Sequence, residues 1–593
     1  MAIRVTNIWW TRSFLEIDYF AKEPERQELF LFHEKSHCFV RFSNEVTDIT
    51  DDKVFIHARL NLTLGNGREM LESGNWFLCT RFSDELLRDE QKLFETYPYL
   101  DKRAYAAVKK QVKPDRCEDE SYLRAETDKR RLEIITSRPY DTHSVSYEED
   151  LLERLDNLSK AFRYVGGKYA YVAYLIPKSD STDYLYVVLN TQFYQRNETP
   201  KVRKKSVRFT EKRVLASVAA LDAKFSERTG KRVLFLKQNG DTPTSNMAAV
   251  RDRMIERGLD TQFQIVERYR EVLGQQRQSL SDWLEDMSEI SKADFIFIDD
   301  YCPIFNFIKP PDGTVLTQIW HAGVGFKSVG YARFGMQGSP DPFNSPHRMY
   351  TYALIGNEHL RDIYSEVFGI EQSALLATGM PRLDHFLDED AVQAARHKLL
   401  AAYPWMTDGR VIVYAPTFRG SGQRSAYFPY DTYFDFQKLY DMCSATNSYF
   451  VFEMHPFVKD MPPIPQEFGD RIVDLSHESL DELYHVSDVL VTDYSSCFYD
   501  YLLLKKPVVF YTPDRVEYSV TRGVQRPVKE FAPGVVCDTF DDFMLVLAHR
   551  KYEDIEPDST CIDRAAERGM LASDRVIDTI LLGRDVPGVK LGD

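Results

Sequence analysis

The stretch DVLVTDYSSCFYDYLLLKKPVVFYTPD, Asp488–Asp514, decides the fold class. Its first apolar run, VLVT, reads as a buried strand that ends in Asp493. Two serines then open a helical segment, SCFYDYLLLKK, and a second apolar run, PVVFY, follows. Strand, helix and strand in close succession argue for parallel strands joined by a crossover helix.

The same alternation extends in both directions. RVIVYAPTF, YFVFEMHP and RIVDLS read as strands upstream, with SLDELYHVS as a helix. An earlier series begins near Lys231. KRVLFLKQNGD, TQFQIVER, DFIFIDD and TVLTQIWH are strands, separated by the helices SNMAAVRDRMIERG and LSDWLEDMSEISKA. The pattern restarts after about Gly409, so two α/β halves follow one another. The expected fold is a GT-B-like pair of Rossmann-type domains, 206–400 and 401–593, with a C-terminal helix closing the second. Residues 1–205 are a β-rich accessory domain, with strands in QELFLFHE, HCFVRFS and KVFIHARLNLTL and a hairpin in KYAYVAYLIPKSDSTDYLYVVLNTQF. A mixed-charge insert, Asp84–Arg130, reads as helical or loose. The basic run NETPKVRKKSVRFTEKR, Asn197–Arg213, reads as a linker or domain edge.

Composition removes several functions. The formal net charge of −16 disfavours nucleic-acid binding, which rests on neutralising phosphates. The eight cysteines are scattered without a CxxC pair, so neither a zinc site nor a disulfide framework is expected. The start, MAIRVTNIWWTRSFLEIDYF, carries charge where a signal peptide needs an apolar run. No apolar run approaches the roughly 18 residues of a spanning helix. The expectation is an intracellular protein that touches a membrane only from its surface. No G-x-G-x-x-G or Walker A loop follows any strand, which disfavours nicotinamide and P-loop chemistry.

In doubly wound sheets, ligands bind beyond the carboxyl ends of the strands. Four loops stand there: His321–Gly325, Pro416–Arg419, Glu453–His455 and Asp493–Asp500. The glycines of HAGVG allow a substrate close to the backbone, with His321 beside it. Ser495 and Ser496 open a helix, where hydroxyls and unpaired N–H groups can hold a phosphate. The simpler alternative is N-capping by Asp493 or Ser495. Asp500 lies one turn beyond Ser496 and can accept hydrogen bonds from sugar hydroxyls. His321 and His455, one in each half, can supply a general base and a donor to phosphate.

The motifs WHAGVGFKSVG, GMPRLD, YAPTFR, MHP and VTDYSSCFYDYLLLKKPVVFYTPD resemble, in order, those of the CDP-glycerol glycerophosphotransferases, the teichoic acid primases and polymerases. The resemblance covers about Ser206–Gly534. It implies transfer of glycerol phosphate from CDP-glycerol to the terminal hydroxyl of a polyol-phosphate or lipid-linked glycan acceptor, with release of CMP. The enzyme would work at the cytoplasmic membrane surface. On this pattern His321 is the base and His455 contacts the donor phosphate. Ala322, Gly323, Val324, Gly325, Arg382, Pro416, Thr417, Glu453, Met454, Ser495, Ser496 and Asp500 fall where the family holds the CDP-alditol. Transfer of this kind needs positioning and charge stabilisation, without metal or cofactor. Many members read WHGTPLKK where this chain reads WHAGVGFKS, in a loop that helps select donor or acceptor, so CDP-ribitol stays open as the donor. A GT-B glycosyltransferase using another nucleotide sugar, and a non-catalytic polymer-binding protein of the cell envelope, are the remaining alternatives.

Overall fold

Runs of Val, Ile, Leu and Phe only four to six residues long can be buried on both faces only if helices cover a parallel sheet on each side. The computed structural model has two such sheets. It describes residues 3–21, 29–33, 39–50, 53–65, 67–80, 145–148, 151, 155, 158–163, 169–179, 185–195, 207–225, 228–270, 279–320, 326, 328–333, 340, 345–420, 425–553, 555, 562–566 and 569–589. They fall into two compact units, one within Met1–Thr199 and Phe334–Phe343 and one within Pro200–Arg333 and Asn344–Asp593.

The first unit is β-structure. Strands β1 (Ile3–Thr11), β2 (Phe14–Ala21), β3 (Leu29–His33), β4 (Phe39–Arg41), β5 (Ser43–Thr50), β6 (Lys53–Asn61), β7 (Gly74–Thr80), β8 (Val145–Tyr147), β9 (Ser159–Arg163), β10 (Tyr169–Ser179) and β11 (Leu185–Gln195) form two sheets. Their orders are β5-β6-β2-β1-β8 and β4-β3-β7-β11-β10-β9. Alternate residues, such as Leu15, Ile17 and Tyr19 of one sheet and Leu29, Leu31, Trp76 and Leu189 of the other, share one core, as a period of two dictates. The expected hairpin is the β10–β11 pair. The insert Asp84–Arg130 lies outside the described residues.

The second unit holds the α/β halves. Its first sheet comprises β12 (Arg232–Lys237), β13 (Gln264–Tyr269), β14 (Phe295–Ile298), β15 (Val315–Gln318), β16 (Tyr352–Leu354) and β17 (Leu375–Leu376). All are parallel, in the order β13-β12-β14-β15-β16-β17. The second sheet comprises β18 (Arg410–Tyr414), β19 (Ser448–Phe452), β20 (Ile472–Asp474), β21 (Val489–Thr492), β22 (Val508–Tyr511) and β23 (Val535–Cys537). Its order, β20-β19-β18-β21-β22-β23, is the 3-2-1-4-5-6 arrangement of Rossmann sheets. One hydrophobic core runs through both halves, from Leu234 and Ile296 to Val411 and Leu490.

Three readings of the sequence need correction. The basic run Asn197–Arg213 is no linker throughout, because helix α1 (Val207–Phe225) starts inside it. The strand expected to reach His321 stops at Gln318, and Trp320 turns into the left-handed region at φ 61°. The segment expected as one helix through Lys506 is a five-residue helix, Cys497–Tyr501, followed by a 3₁₀ turn, Leu502–Leu504.

The C-terminal helical segment, Ala572–Leu581, returns to the first half. Val576, Ile577, Ile580 and Leu581 pack with Val233, Phe235 and the residues Met247 and Val250 of helix α2 (Ser245–Glu256). Arg253 of α2 and Arg257, which caps its C-terminus, pair with Asp574 at 2.8 and 2.9 Å, and Arg257 also with Asp578 at 2.6 Å. Ile577 is fully buried in this seam. Its replacement by alanine should destabilise the chain by about 2–5 kcal/mol through lost burial and a residual cavity. Chemical denaturation should show this as a lower midpoint.

Candidate active site at the strand ends

In the second sheet, the strand order reverses between β18 and β21, so the loops after these two strands border the crevice where ligands bind in such folds. Arg419 ties these loops together. Its Nη1 donates to Asp493 Oδ2 at 2.9 Å, and its Nε and Nη2 donate to Asp514 at 2.5 and 2.9 Å. Asp493 also accepts from the Thr417 N–H at 2.8 Å, the Thr417 hydroxyl at 2.9 Å and the Tyr494 N–H at 2.6 Å. Tyr494 donates from its hydroxyl to Asp514 and stacks on Tyr518 at 3.7 Å. Arg419, Asp493 and Asp514 are all buried. Burial disfavours the guanidinium charge, but the two carboxylates outweigh it and push the Arg419 pKa further up. Thr417 therefore spends its hydroxyl on the loop, and Asp493 is a receiver for this network rather than a helix cap.

Ser495 and Ser496 follow directly, half-buried at the mouth. The Ser495 hydroxyl accepts the Cys497 N–H at 3.2 Å. Ser496 takes the N-cap position, but its side chain makes no capping bond. At the adjacent end of β19, the Phe457 N–H donates to His455 Nδ1 at 3.2 Å. That bond leaves the proton of the neutral ring on Nε2, the nitrogen suited to donate to a phosphate. The ring lies 4.9 Å from Phe418 and 4.7 Å from Phe457. Glu453 is buried at the end of the same strand, where burial, with Asp481 and Asp474 adding to it, pushes its carboxyl up to about 8. Met454 is buried, and its N–H donates to the Ser476 hydroxyl at 2.9 Å. Pro416 is buried next to Thr417.

From the first half, Arg382 reaches across to Asp500 with a 2.6 Å ion pair, both side chains buried or nearly so. The two residues expected to meet substrate separately thus meet each other. Arg382 Nε is buried with no hydrogen-bond partner among the described residues. His321, Ala322, Gly323, Val324 and Gly325 lie outside the described residues. The stem that carries them is described. Trp320 O accepts from Asn246 Nδ2 at 2.6 Å, and Asn246 Oδ1 accepts the Arg382 N–H at 2.8 Å. A fully buried asparagine at the start of α2 therefore joins the left-handed turn before His321 to the Arg382–Asp500 pair.

A family model described as CDP-glycerol:poly(glycerophosphate) glycerophosphotransferase matches residues 220–581, more than half of the chain. The chain belongs to this family. It is 34% identical to the teichoic acid poly(ribitol-phosphate) polymerase of Bacillus spizizenii over 60% of this chain and 56% of that protein. It is 32% identical to the teichoic acid ribitol-phosphate polymerase TarK of Staphylococcus aureus over 55% and 63% of the two. The chain thus spans less than two thirds of these relatives' lengths. The solved wall teichoic acid polymerase TagF is 18% identical, with a TM-score of 0.48 over 64% of this chain and 97% of that one.

Within the glycerophosphotransferase match, sequence reasoning placed Arg419 in a strand-end loop without seeing its structural role, and passed over Asp514 and Asn246. Arg419 had a signal, since a cation directly after the strand-end loop of a chain this acidic invites a buried partner. Asn246 had none, because its two partners stand 74 and 136 residues away.

Arg419→Met would leave Asp493 and Asp514 buried and uncompensated, which costs about 3–5 kcal/mol. Its denaturation midpoint should fall well below that of a surface control such as Lys438→Met. Glu453 has a folded pKa near 8 against about 4.5 unfolded. The unfolded chain therefore ionises first, and stability is lost as pH rises from about 4.5 to 8. Glu453→Gln removes this loss, so its stability relative to wild type should improve between pH 5 and pH 8, by an amount on the order of a few kcal/mol. Denaturant titrations at the two pH values would test this, and an equal difference at both would remove the assignment.

Proposed function

We propose that this chain transfers a polyol phosphate from a CDP-polyol to the terminal hydroxyl of a polyol-phosphate or lipid-linked glycan acceptor, releasing CMP. The observation that carries the reading is the family match across both α/β halves, which includes every strand-end loop described above. The acceptor oxygen attacks the phosphorus that bears the polyol, and the bond to the bridging oxygen breaks. CMP leaves with that oxygen, and His321 takes the hydroxyl proton. His455, donating from Nε2, and the half-buried Ser495 and Ser496 would hold donor phosphate oxygens. Charge-assisted and preorganised donors of this kind stabilise the transferring group. A Glu453 carboxyl that stays protonated at neutral pH adds no negative charge beside that group.

Ribitol is favoured over glycerol as the polyol. The relatives at 34% and 32% identity are named for ribitol phosphate. Those named for glycerol phosphate match at 27–28% over shorter stretches. The reaction belongs at the inner face of the cell membrane, where a nucleotide-activated donor is available. Among the described residues no helix is long and apolar enough to cross a membrane. The β-rich first unit then serves acceptor presentation or targeting.

Incubation with labelled CDP-ribitol and CDP-glycerol on native membranes, followed by sizing of the product, should give label in polymer, with CDP-ribitol the better donor. Transfer of sugar from a nucleotide sugar, with neither CDP-polyol used, would replace this reading by a glycosyltransferase. His321→Ala should lower turnover by roughly 10²–10⁴-fold, the usual loss of a general base. Near wild-type turnover would remove His321 from that role.

A further inference from the structure

Several inward-lying arginines of the second unit have a carboxylate partner, and buried Arg410 donates instead to the Ser448 and Tyr552 hydroxyls and the Leu547 carbonyl. Arg419 has Asp493 and Asp514, Arg382 has Asp500, and Arg253 and Arg257 have Asp574. Arg333 and Arg522 differ. Neither has an ion pair among the described residues, and the Nε of each is buried with no hydrogen-bond partner there.

Their placement is set by backbone contacts between the halves. The Ser328 N–H donates to Gly523 O at 3.1 Å, and the Gln525 N–H donates to Phe326 O at 2.9 Å. Phe326 also stacks on Phe498, centroids 5.4 Å apart, and meets Phe510 edge-on at 5.6 Å. The segment downstream of His321 is thereby held against residues 518–525. Arg333 ends the short 3₁₀ turn Gly330–Arg333 in that segment. Arg522 donates from Nη1 to Gly420 O at 2.8 Å and lies over the Phe418 ring at 5.0 Å. Phe418 in turn touches the His455 ring. Arg522 therefore borders the crevice, one ring away from His455.

Two half-buried guanidinium groups that lack carboxylates leave donors unused and like charges unscreened. Burial, and then the nearby Arg522 charge, lower the Arg333 pKa. Such an arrangement is unfavourable by itself, and an anion relieves both defects by supplying acceptors and opposite charge. Arginine forks match the oxygens of a phosphate.

We propose that Arg333 and Arg522 form an anion subsite, shared by the two α/β halves, that takes a phosphate or phosphodiester group. The subsite itself follows from these two side chains, and only the source of the anion rests on the transferase reading. On that reading, the source is either the diphosphate of the donor or a phosphodiester of the acceptor chain.

The test uses the full chain at fixed ionic strength. Inorganic pyrophosphate binding is measured by calorimetry for wild type, Arg333→Gln, Arg522→Gln and Arg522→Lys. Loss of a charge-assisted contact should weaken binding roughly 10- to 100-fold in Arg333→Gln and Arg522→Gln. Arg522→Lys keeps the charge and should lose less. CMP affinity and the KM for a short polyol-phosphate acceptor then separate the sources. Weaker CMP or CDP-polyol binding in Arg333→Gln assigns the subsite to the donor. A raised acceptor KM at unchanged CMP affinity assigns it to the acceptor. A folded Arg333→Gln protein with pyrophosphate, CMP and acceptor parameters all at wild-type values overturns the proposal. Arg333 makes no hydrogen bond among the described residues, so this variant decides the matter even if Arg522→Gln fails to fold. Pyrophosphate binding that is lost in Arg333→Gln, from a wild type that transfers no polyol phosphate, would keep the subsite and remove the transferase reading.

Discussion

A single buried cation organises the crevice. Arg419 follows β18, Asp493 follows β21 and Asp514 follows β22, and the ion pairs between them hold three strand-end loops in one arrangement. Parallel order puts these loops side by side, but their backbones would otherwise be free to choose several paths. The guanidinium removes that freedom because each carboxylate has been taken out of water and needs this partner. Phe428, Tyr433, Tyr494 and Tyr518 surround the guanidinium at 5.2–5.7 Å and keep water from replacing it. Gly420 completes the turn at φ 96°, where a Cβ would lie 1.9 Å from Ser425 O. One consequence is a division of labour along four residues. Asp493 and Tyr494 are consumed by the scaffold, and Ser495 and Ser496 remain half-buried at the mouth.

The two halves are coupled through buried polar contacts as well as through the shared core. Asn246 holds Trp320 in a left-handed conformation that a tryptophan adopts only when its surroundings compel it. The same side chain accepts from the Arg382 N–H, and Arg382 pairs with Asp500 of the second half. A displacement of either half is therefore transmitted to the stem before His321. The returning C-terminal segment adds a second tie, since it leaves the second half and buries Ile577 against the sheet of the first. Positioning to a fraction of an ångström is what transfer between two bound substrates demands.

The electrostatics of the crevice follow from the same burial. Carboxylates near a phosphate site repel the ligand unless they are paired or protonated. Asp493, Asp514 and Asp500 are paired with arginines. Glu453 instead stays protonated near neutral pH. An overall acidic chain can in this way present a crevice suited to an anion, with Arg333 and Arg522 the guanidinium groups left without carboxylates at its border.

The order of strands and helices was legible in the residues, because short apolar runs alternating with amphipathic segments leave few other ways to bury both. The family was legible for the same reason that its motifs recur: strand-end loops must carry the chemistry, and their residues are contiguous. Ser495, Ser496 and His455 could be named as candidates from local context alone. What only the tertiary structure decided is which polar groups serve the scaffold. Thr417 and Asp493, named from the sequence at a strand end, are bound to Arg419, and Arg382 and Asp500 are bound to each other. Asn246, Asp514 and the Arg333–Arg522 pair gain their meaning from partners many residues distant. Local sequence sets the path of a strand or helix, since its hydrogen bonds close within a few residues or along a neighbouring strand. A buried charge must find its partner wherever the folded chain brings one, and no spacing along the sequence records that distance.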